Sequence, residues 1–172
     1  MKPRIYVACL AAYNSGRLHG EWIDANQDPE EIQADVEEML ERSPEPDAEE
    51  WAIHDFEGFS SLRLDEHADL EYVSKLAEFI DDVGPIAAEL VAHSDSESTI
   101  EDIVERYEET QLGVWDSLVE WAEDYLDDTG DLAGLPENLK HYFDYEAFAR
   151  DAELGGDIWT IELNGSVHVF SP

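Results

Sequence analysis

The sequence contains few of the residues that build disulfides, thiolate metal sites or membrane spans. Cys9 is the only cysteine, which excludes an intramolecular disulfide and a thiolate zinc site and suits a reducing cytoplasm. No apolar run approaches the ~18 residues of a membrane-spanning helix, and the apolar part of the N-terminal segment is too short for a signal peptide. We therefore expect a cytoplasmic protein that does not enter a membrane.

Positive charge is also scarce. The chain has 9 Lys and Arg against 44 Asp and Glu, which gives a formal net charge of −35. This excess of negative charge excludes the basic surface that binding to nucleic acid requires, and it makes the protein repel anionic membrane surfaces. Any partner attracted by charge should be basic, so we expect no direct contact with nucleic acid or membrane.

Motifs of known catalytic and metal sites are missing. There is no Walker loop, no dinucleotide-binding glycine pattern, no nucleophile elbow and no zinc-protease motif. Glu89 and His93 offer only one imidazole, and a calcium loop aligned on Gly130 would place Tyr125 at its first ligand position. The sequence therefore predicts a protein that is not an enzyme and has no metal site and no cofactor.

The residues that are present suffice for folded cores, with 43% hydrophobic and 10% aromatic side chains. Arg4 to Leu10, Gly20 to Asp24 and Trp51 to Phe56 have strand patterns, the first two joined by a turn. Asp28-Pro29 predicts the start of an intervening helix. Residues 1–61 are therefore predicted to form a ββαβ unit.

The remaining patterns complete an α+β fold. Residues 62–111 show helical periodicity, with a capping box predicted from Ser98 and Glu101. Residues 112–172 contain a helix, an aromatic helical region and a hairpin around Asn164-Gly165, the preferred type I′ turn pair. We expect an elongated α+β protein of three small subdomains: a ββαβ unit (1–61), a helical middle (62–111), and a C-terminal unit of helix plus β-hairpin (112–172).

The segment from Ser98 to Asp131 is the most acidic part of this pattern, because it carries twelve carboxylates and one base, Arg106. We interpret it as two consecutive helices, the second of which places Val114, Trp115 and other apolar residues on one face. Several of its acids lie at i,i+4 spacing, which costs about 0.2–0.5 kcal/mol per pair. The acids predicted on the solvent face, which we call the acidic surface, are Asp116, Glu120, Glu123, Asp124, Asp127, Asp128 and Asp131.

Two hypotheses explain so much negative charge. The first is salt adaptation, in which screening in molar salt shortens the Debye length to about 3 Å and removes the repulsion. The second is mimicry of nucleic acid, because acids one helical turn apart are spaced by about 5–6 Å, close to the phosphate spacing along one DNA strand. Composition leaves both hypotheses open.

Several motifs resemble those of the ArdA-type antirestriction proteins. They are Tyr142 to Asp151 (YFDYEAFARD) with the preceding Leu135 to Leu139, and three N-terminal strings: Ile5 to Ala8 with Tyr13 to Gly16, Gly20 to Asp24, and Ile53 to Gly58. The resemblance runs essentially from end to end. It identifies the chain as similar to a family of acidic DNA mimics, often carried by mobile elements.

The resemblance implies a stoichiometric, non-catalytic inhibitor of type I restriction-modification enzymes. Such an inhibitor imitates bent B-form DNA and occupies the DNA-binding groove of the methyltransferase core. It also implies a three-domain α+β protein and a homodimer formed through the C-terminal domain. The family's acidic antirestriction region would lie within about Val114 to Asp131. The alternative is a salt-adapted acidic binding domain without mimicry.

Overall fold

The computed structural model describes residues 2–46 and 48–172 and has the α+β class that the sequence predicts. The chain forms two compact units, an N-terminal unit up to Val104 and a C-terminal unit from Glu105 to Pro172. The boundaries at 61 and 111 stay predictions. None of the described helices is both long and apolar enough to cross a membrane.

The N-terminal unit contains a three-stranded antiparallel sheet with helices packed beside it. Its elements are β1 (Arg4–Cys9), α1 (Leu10–Asn14), β2 (Gly20–Asp24), α2 (Pro29–Glu41), β3 (Trp51–Glu57), α3 (Leu70–Val83), α4 (Ile86–His93) and the first part of α5 (Ile100–Thr110). The strand order is β2-β1-β3, with Ile5 opposite both Ile23 and Phe56. The three predicted strands and the intervening helix are thus confirmed.

Two details of this unit differ from the predictions. The predicted turn between β1 and β2 is present at Ser15 and Gly16, but the short helix α1 precedes it. The predicted capping box of Ser98 and Glu101 is instead made one residue later, because α5 begins at Ile100 and Thr99 precedes it. The Thr99 amide donates to Asp102 Oδ2 at 2.9 Å, and the Asp102 amide donates to Thr99 Oγ1 at 3.2 Å.

The C-terminal unit places two main helices on one face of a second antiparallel sheet. It comprises the end of α5, β4 (Gln111–Trp115), α6 (Leu118–Thr129), α7 (Glu137–Lys140), α8 (Tyr145–Gly155), β5 (Trp159–Leu163) and β6 (Ser166–Phe170). The strand order is β4-β6-β5. Its core is formed by Trp121, Ala122, Ala149, Ala152, Ile158, Val167 and Val169.

The closing hairpin is confirmed. Leu163 pairs with Ser166, and the two residues between them both have positive φ, 54° at Asn164 and 87° at Gly165. A type I′ turn requires this backbone geometry at its two central positions, which asparagine and glycine adopt at the lowest cost. The aromatic helical region predicted from His141 to Asp151 lies later in the chain, at Tyr145–Gly155.

The interpretation of Ser98 to Asp131 as two consecutive helices was wrong, because a strand lies between the helices. Val114 and Trp115 belong to strand β4, where they pair with His168 and Val167 of β6. This pairing gives β4 the ladder hydrogen bonds that a helix would otherwise supply, and it completes the sheet beside the hairpin. Asp116 consequently lies before α6 and is not a helical residue.

Candidate functional site

Helix α6 carries most of the acidic surface, and its first turn is held by a reciprocal cap. Ser117 Oγ accepts the Glu120 amide hydrogen at 3.1 Å, and Glu120 Oε2 accepts the Asp116 amide hydrogen at 2.9 Å. The first bond satisfies an amide that a helix N-terminus leaves unpaired, and the second joins the residue before the cap to the first turn. The helix ends at Gly130, whose φ of 71° is the left-handed conformation of a C-terminal cap, as the sequence predicts.

The apolar side of α6 determines which side faces solvent. Trp121, Ala122 and Leu126 are buried. The Trp121 ring stacks on Tyr125 at 5.4 Å and on Phe148 of α8 at 6.2 Å between ring centroids. Because this stack fixes the rotation of the helix about its axis, the acids on the other side are directed away from the core.

All seven residues of the acidic surface are exposed. In the described part of the chain, five of them make no side-chain hydrogen bond or ion pair: Asp116, Glu123, Asp127, Asp128 and Asp131. The two basic residues of 112–172, Lys140 and Arg150, pair instead with Glu137 at 3.2 Å and Asp151 at 3.1 Å. The five carboxylates are therefore solvated anions without a compensating cation.

The other two acids have structural contacts. Glu120 forms part of the cap described above, and Asp124 Oδ2 accepts the indole hydrogen of Trp115 at 2.9 Å. The latter bond joins β4 to α6 across the Ser117 turn. Glu120 and Asp124 thus stabilise the local fold as well as contributing charge, which the sequence did not predict.

Like charges remain close together along α6. Glu120 and Asp124, Glu123 and Asp127, and Asp124 and Asp128 are each four residues apart within the helix. Such pairs are unfavourable, and Asp127 and Asp128 also lie in the last turn, beside the negative end of the helix dipole. Asp116 also lies four residues before Glu120 in the sequence, but the two do not form a helical pair, because Asp116 precedes α6.

Three further positions singled out in the sequence, Glu89, His93 and Cys9, have local structural contacts or are buried. His93 Nδ1 contacts the backbone oxygen of Glu89 at 2.7 Å, the ordinary arrangement of a solvated histidine on a helix. Cys9 is a free cysteine, buried at the end of strand β1. Among residues 2–46 and 48–172, no group of three or more His, Cys, Asp or Glu side chains is placed to hold a metal ion.

A family model for the antirestriction protein ArdA matches residues 5–165. The chain belongs to the ArdA family. The match spans both compact units and includes every residue of the acidic surface. ArdA proteins are non-catalytic antirestriction proteins that interact with restriction-modification enzymes. A search of curated proteins found no match.

The aromatic string from Tyr142 to Asp151 is only partly buried. Phe143 packs edge-on to Tyr145 at 5.0 Å and at a tilt to Phe148 at 6.1 Å, so these rings support the α6–α8 core. Tyr142, by contrast, is 84% exposed. Aromatic rings cannot imitate phosphate, and we attribute the packing of this string to the fold of the C-terminal unit.

Proposed function

We propose that this ArdA protein inhibits type I restriction-modification enzymes by imitating B-form DNA and occupying the DNA-binding groove of the methyltransferase core. The single observation that supports this proposal most strongly is the set of five exposed carboxylates on and around α6 without a compensating cation. On an ordinary protein surface that stabilises the fold, positively and negatively charged side chains are mixed. A surface that carries only negative charge, in spite of the repulsion between its acids, favours a basic partner.

Within α6, helix geometry gives the acidic residues a spacing that a DNA-binding groove can accept. Acids four residues apart on a helix are separated by about 6 Å along the axis. That distance is close to the phosphate spacing of one DNA strand. Binding such a line of anions releases counterions from the basic groove, which is the main source of affinity for DNA itself.

A competition titration tests this proposal. A purified type I methyltransferase is titrated with the chain at several salt concentrations, with and without its DNA target. If the five free carboxylates each release counterions as phosphates of B-form DNA do, affinity falls by about five-hundredfold between 50 and 200 mM salt. Affinity that is independent of salt, or binding that DNA does not displace, would contradict mimicry.

Salt adaptation remains the second candidate, because negative charge is spread over the whole chain. Residues 1–61, 62–111 and 112–172 contain 15, 15 and 14 acids against 4, 3 and 2 bases. A salt-adapted acidic binding domain requires molar salt to fold, since only screening removes its self-repulsion. Cooperative folding in dilute buffer, followed by near-ultraviolet circular dichroism, would therefore favour mimicry.

The proposal has further parts. We propose that the protein acts in the cytoplasm as a homodimer, has three subdomains at 1–61, 62–111 and 112–172, and is carried by a mobile element. It uses no catalytic residue, metal or cofactor and does not bind nucleic acid directly. Asp116, Glu120, Glu123, Asp124, Asp127, Asp128 and Asp131 form the surface that the enzyme contacts.

A further inference from the structure

A groove in the N-terminal unit has an acidic lining and an aromatic residue without a ring partner. It lies between α2 and the start of α3 and has a volume of about 660 Å³. Its lining includes Glu30, Glu37, Asp69 and Glu71, together with the half-buried ring of Trp51 at the start of edge strand β3. No lysine or arginine is among the lining residues.

Trp51 differs from the other tryptophans in its surroundings. Trp22 lies under the guanidinium of Arg4 at 4.6 Å, and Trp159 lies under that of Arg106 at 5.9 Å. Trp121 stacks on two aromatic rings, and Trp115 donates to Asp124. Within the described residues, Trp51 has no cation over its ring and no aromatic neighbour.

The acids of the groove differ in how far they are already engaged. Asp69 accepts the amides of Glu71 and Tyr72 as the cap of α3, and Glu71 pairs with Lys75 at 2.5 Å. On α2, Glu37 accepts one amide hydrogen from Gln33 at 2.9 Å. Glu30 forms no side-chain hydrogen bond or ion pair with any described residue. Glu30 and Glu37 therefore remain able to accept a cation.

We propose that this groove receives an arginine side chain from the restriction enzyme, stacked on Trp51 and paired with Glu30 and Glu37. The inference rests on the proposed function for the identity of the partner. Arginine fits better than lysine because its planar guanidinium stacks on an indole face while its edge donates to carboxylates. The chain itself uses this stacking at Trp22 and Trp159.

This contact differs in kind from phosphate mimicry. An acidic helix surface attracts any cation, and its contribution falls steeply with salt. An arginine held between an indole ring and carboxylates has a defined geometry and loses less affinity to screening, because part of its contact is with the ring. The groove would thus provide a specific contact in the N-terminal unit, separate from the acidic surface of α6.

The binding of arginine can be tested on the unmodified protein. Its five tryptophans give five indole N–H signals by NMR, and Trp51→Phe assigns the signal of interest. Acetyl-arginine-amide should shift the Trp51 signal saturably, whereas acetyl-lysine-amide at equal concentration should shift it less. The signals of Trp22 and Trp159, which already carry an arginine, are internal controls. Equal movement of all signals, or no movement, would overturn the inference.

The role of the groove in inhibition is tested with two matched double variants of α2. Glu30→Gln with Glu37→Gln alters the groove, whereas Glu31→Gln with Glu38→Gln removes the same charge from exposed positions of the same helix outside the groove. We expect the first pair to weaken inhibition of a type I methyltransferase about two- to thirtyfold more than the second.

The results separate this inference from the proposed function. If the unmodified chain inhibits the enzyme and both double variants weaken inhibition equally, the groove contact is refuted while DNA mimicry stands. If the unmodified chain does not inhibit the enzyme, the proposed function fails, and the groove loses the partner assigned to it. Retained near-ultraviolet circular dichroism in both variants confirms that folding is not the cause.

Discussion

Replacing Asp127 and Asp128 by asparagine should stabilise the protein while weakening its inhibition of the enzyme. Both residues are exposed, lie in the last turn of α6, and make no side-chain hydrogen bond or ion pair in the described structure. Each faces an acid four residues earlier, Glu123 or Asp124. The double substitution therefore removes two unfavourable pairs and two charges beside the negative end of the helix dipole.

The expected gain in stability follows from two costs that the substitutions remove, like-charge repulsion and the unfavourable position of an acid at a helix C-terminus. Each i,i+4 pair costs about 0.2–0.5 kcal/mol, and an acid in the last helical turn costs about 0.3–1 kcal/mol at low salt. Because neighbouring charges do not act additively, we expect a gain of about 1–2 kcal/mol in the free energy of unfolding. With a typical urea dependence for a small protein, the midpoint should rise by about 0.5–1 M.

Inhibition should change in the opposite direction. Removing two anions from the surface eliminates two sites of counterion release, which should weaken binding to the methyltransferase about three- to tenfold. The assays are urea titrations followed by circular dichroism and methyltransferase inhibition at the same salt concentration. At 1 M salt the gain in stability should largely disappear, because the Debye length shortens to about 3 Å.

A matched substitution in α8 provides the control. Glu146 is also exposed, but it lies in the first turn of its helix, where the dipole favours an acid. Glu146→Gln removes a single negative charge, but it should lower the free energy of unfolding by about 0.3–1 kcal/mol. Lower stability after Asp127→Asn with Asp128→Asn, or inhibition equal to that of the parent, would refute the reasoning.

Two further predictions concern the C-terminal unit and the assembly. His168 lies opposite Val114 and Ile161, its Nδ1 is buried without a hydrogen bond in the described structure, and burial lowers its pKa. As pH falls through about 6.5, the unfolded chain therefore binds a proton at His168 before the folded chain does. The parent protein should lose stability between pH 7 and 5, and His168→Leu should lose less. Equal changes in the urea midpoints of the two proteins would contradict this. For the homodimer, sedimentation equilibrium at micromolar concentration should give twice the monomer mass of 19.5 kDa, and the monomer mass alone would rule the dimer out.

The features that the sequence predicted well depend on neighbouring residues. The hairpin follows from the backbone preferences of Asn164 and Gly165, and the end of α6 follows from Gly130. The exposure of the five acids within α6 follows from helical periodicity together with the apolar residues that alternate with them. These features require no knowledge of distant contacts, so a single sequence contains the information for them.

The misassigned strand β4, the bond from Trp115 to Asp124 and the groove at Trp51 depend on tertiary contacts. Strand β4 is only five residues long, and its partner Val169 is more than fifty positions away, so its pattern merged with that of the following helix. The bond from Trp115 to Asp124 exists only because β4 turns at Ser117. The groove at Trp51 likewise requires the packing of three segments that are separate in the chain.

The balance of forces in α6 explains how a surface of like charges can persist. Three like-charge pairs within the helix cost together about 0.6–1.5 kcal/mol. On the opposite side, Trp121 and Leu126 are each 4% exposed, and burying one large apolar side chain contributes about 1.5–3 kcal/mol. Packing against α8 and the sheet therefore outweighs the repulsion. The acids on the outer side can be maintained for binding a basic partner without unfolding the helix that presents them.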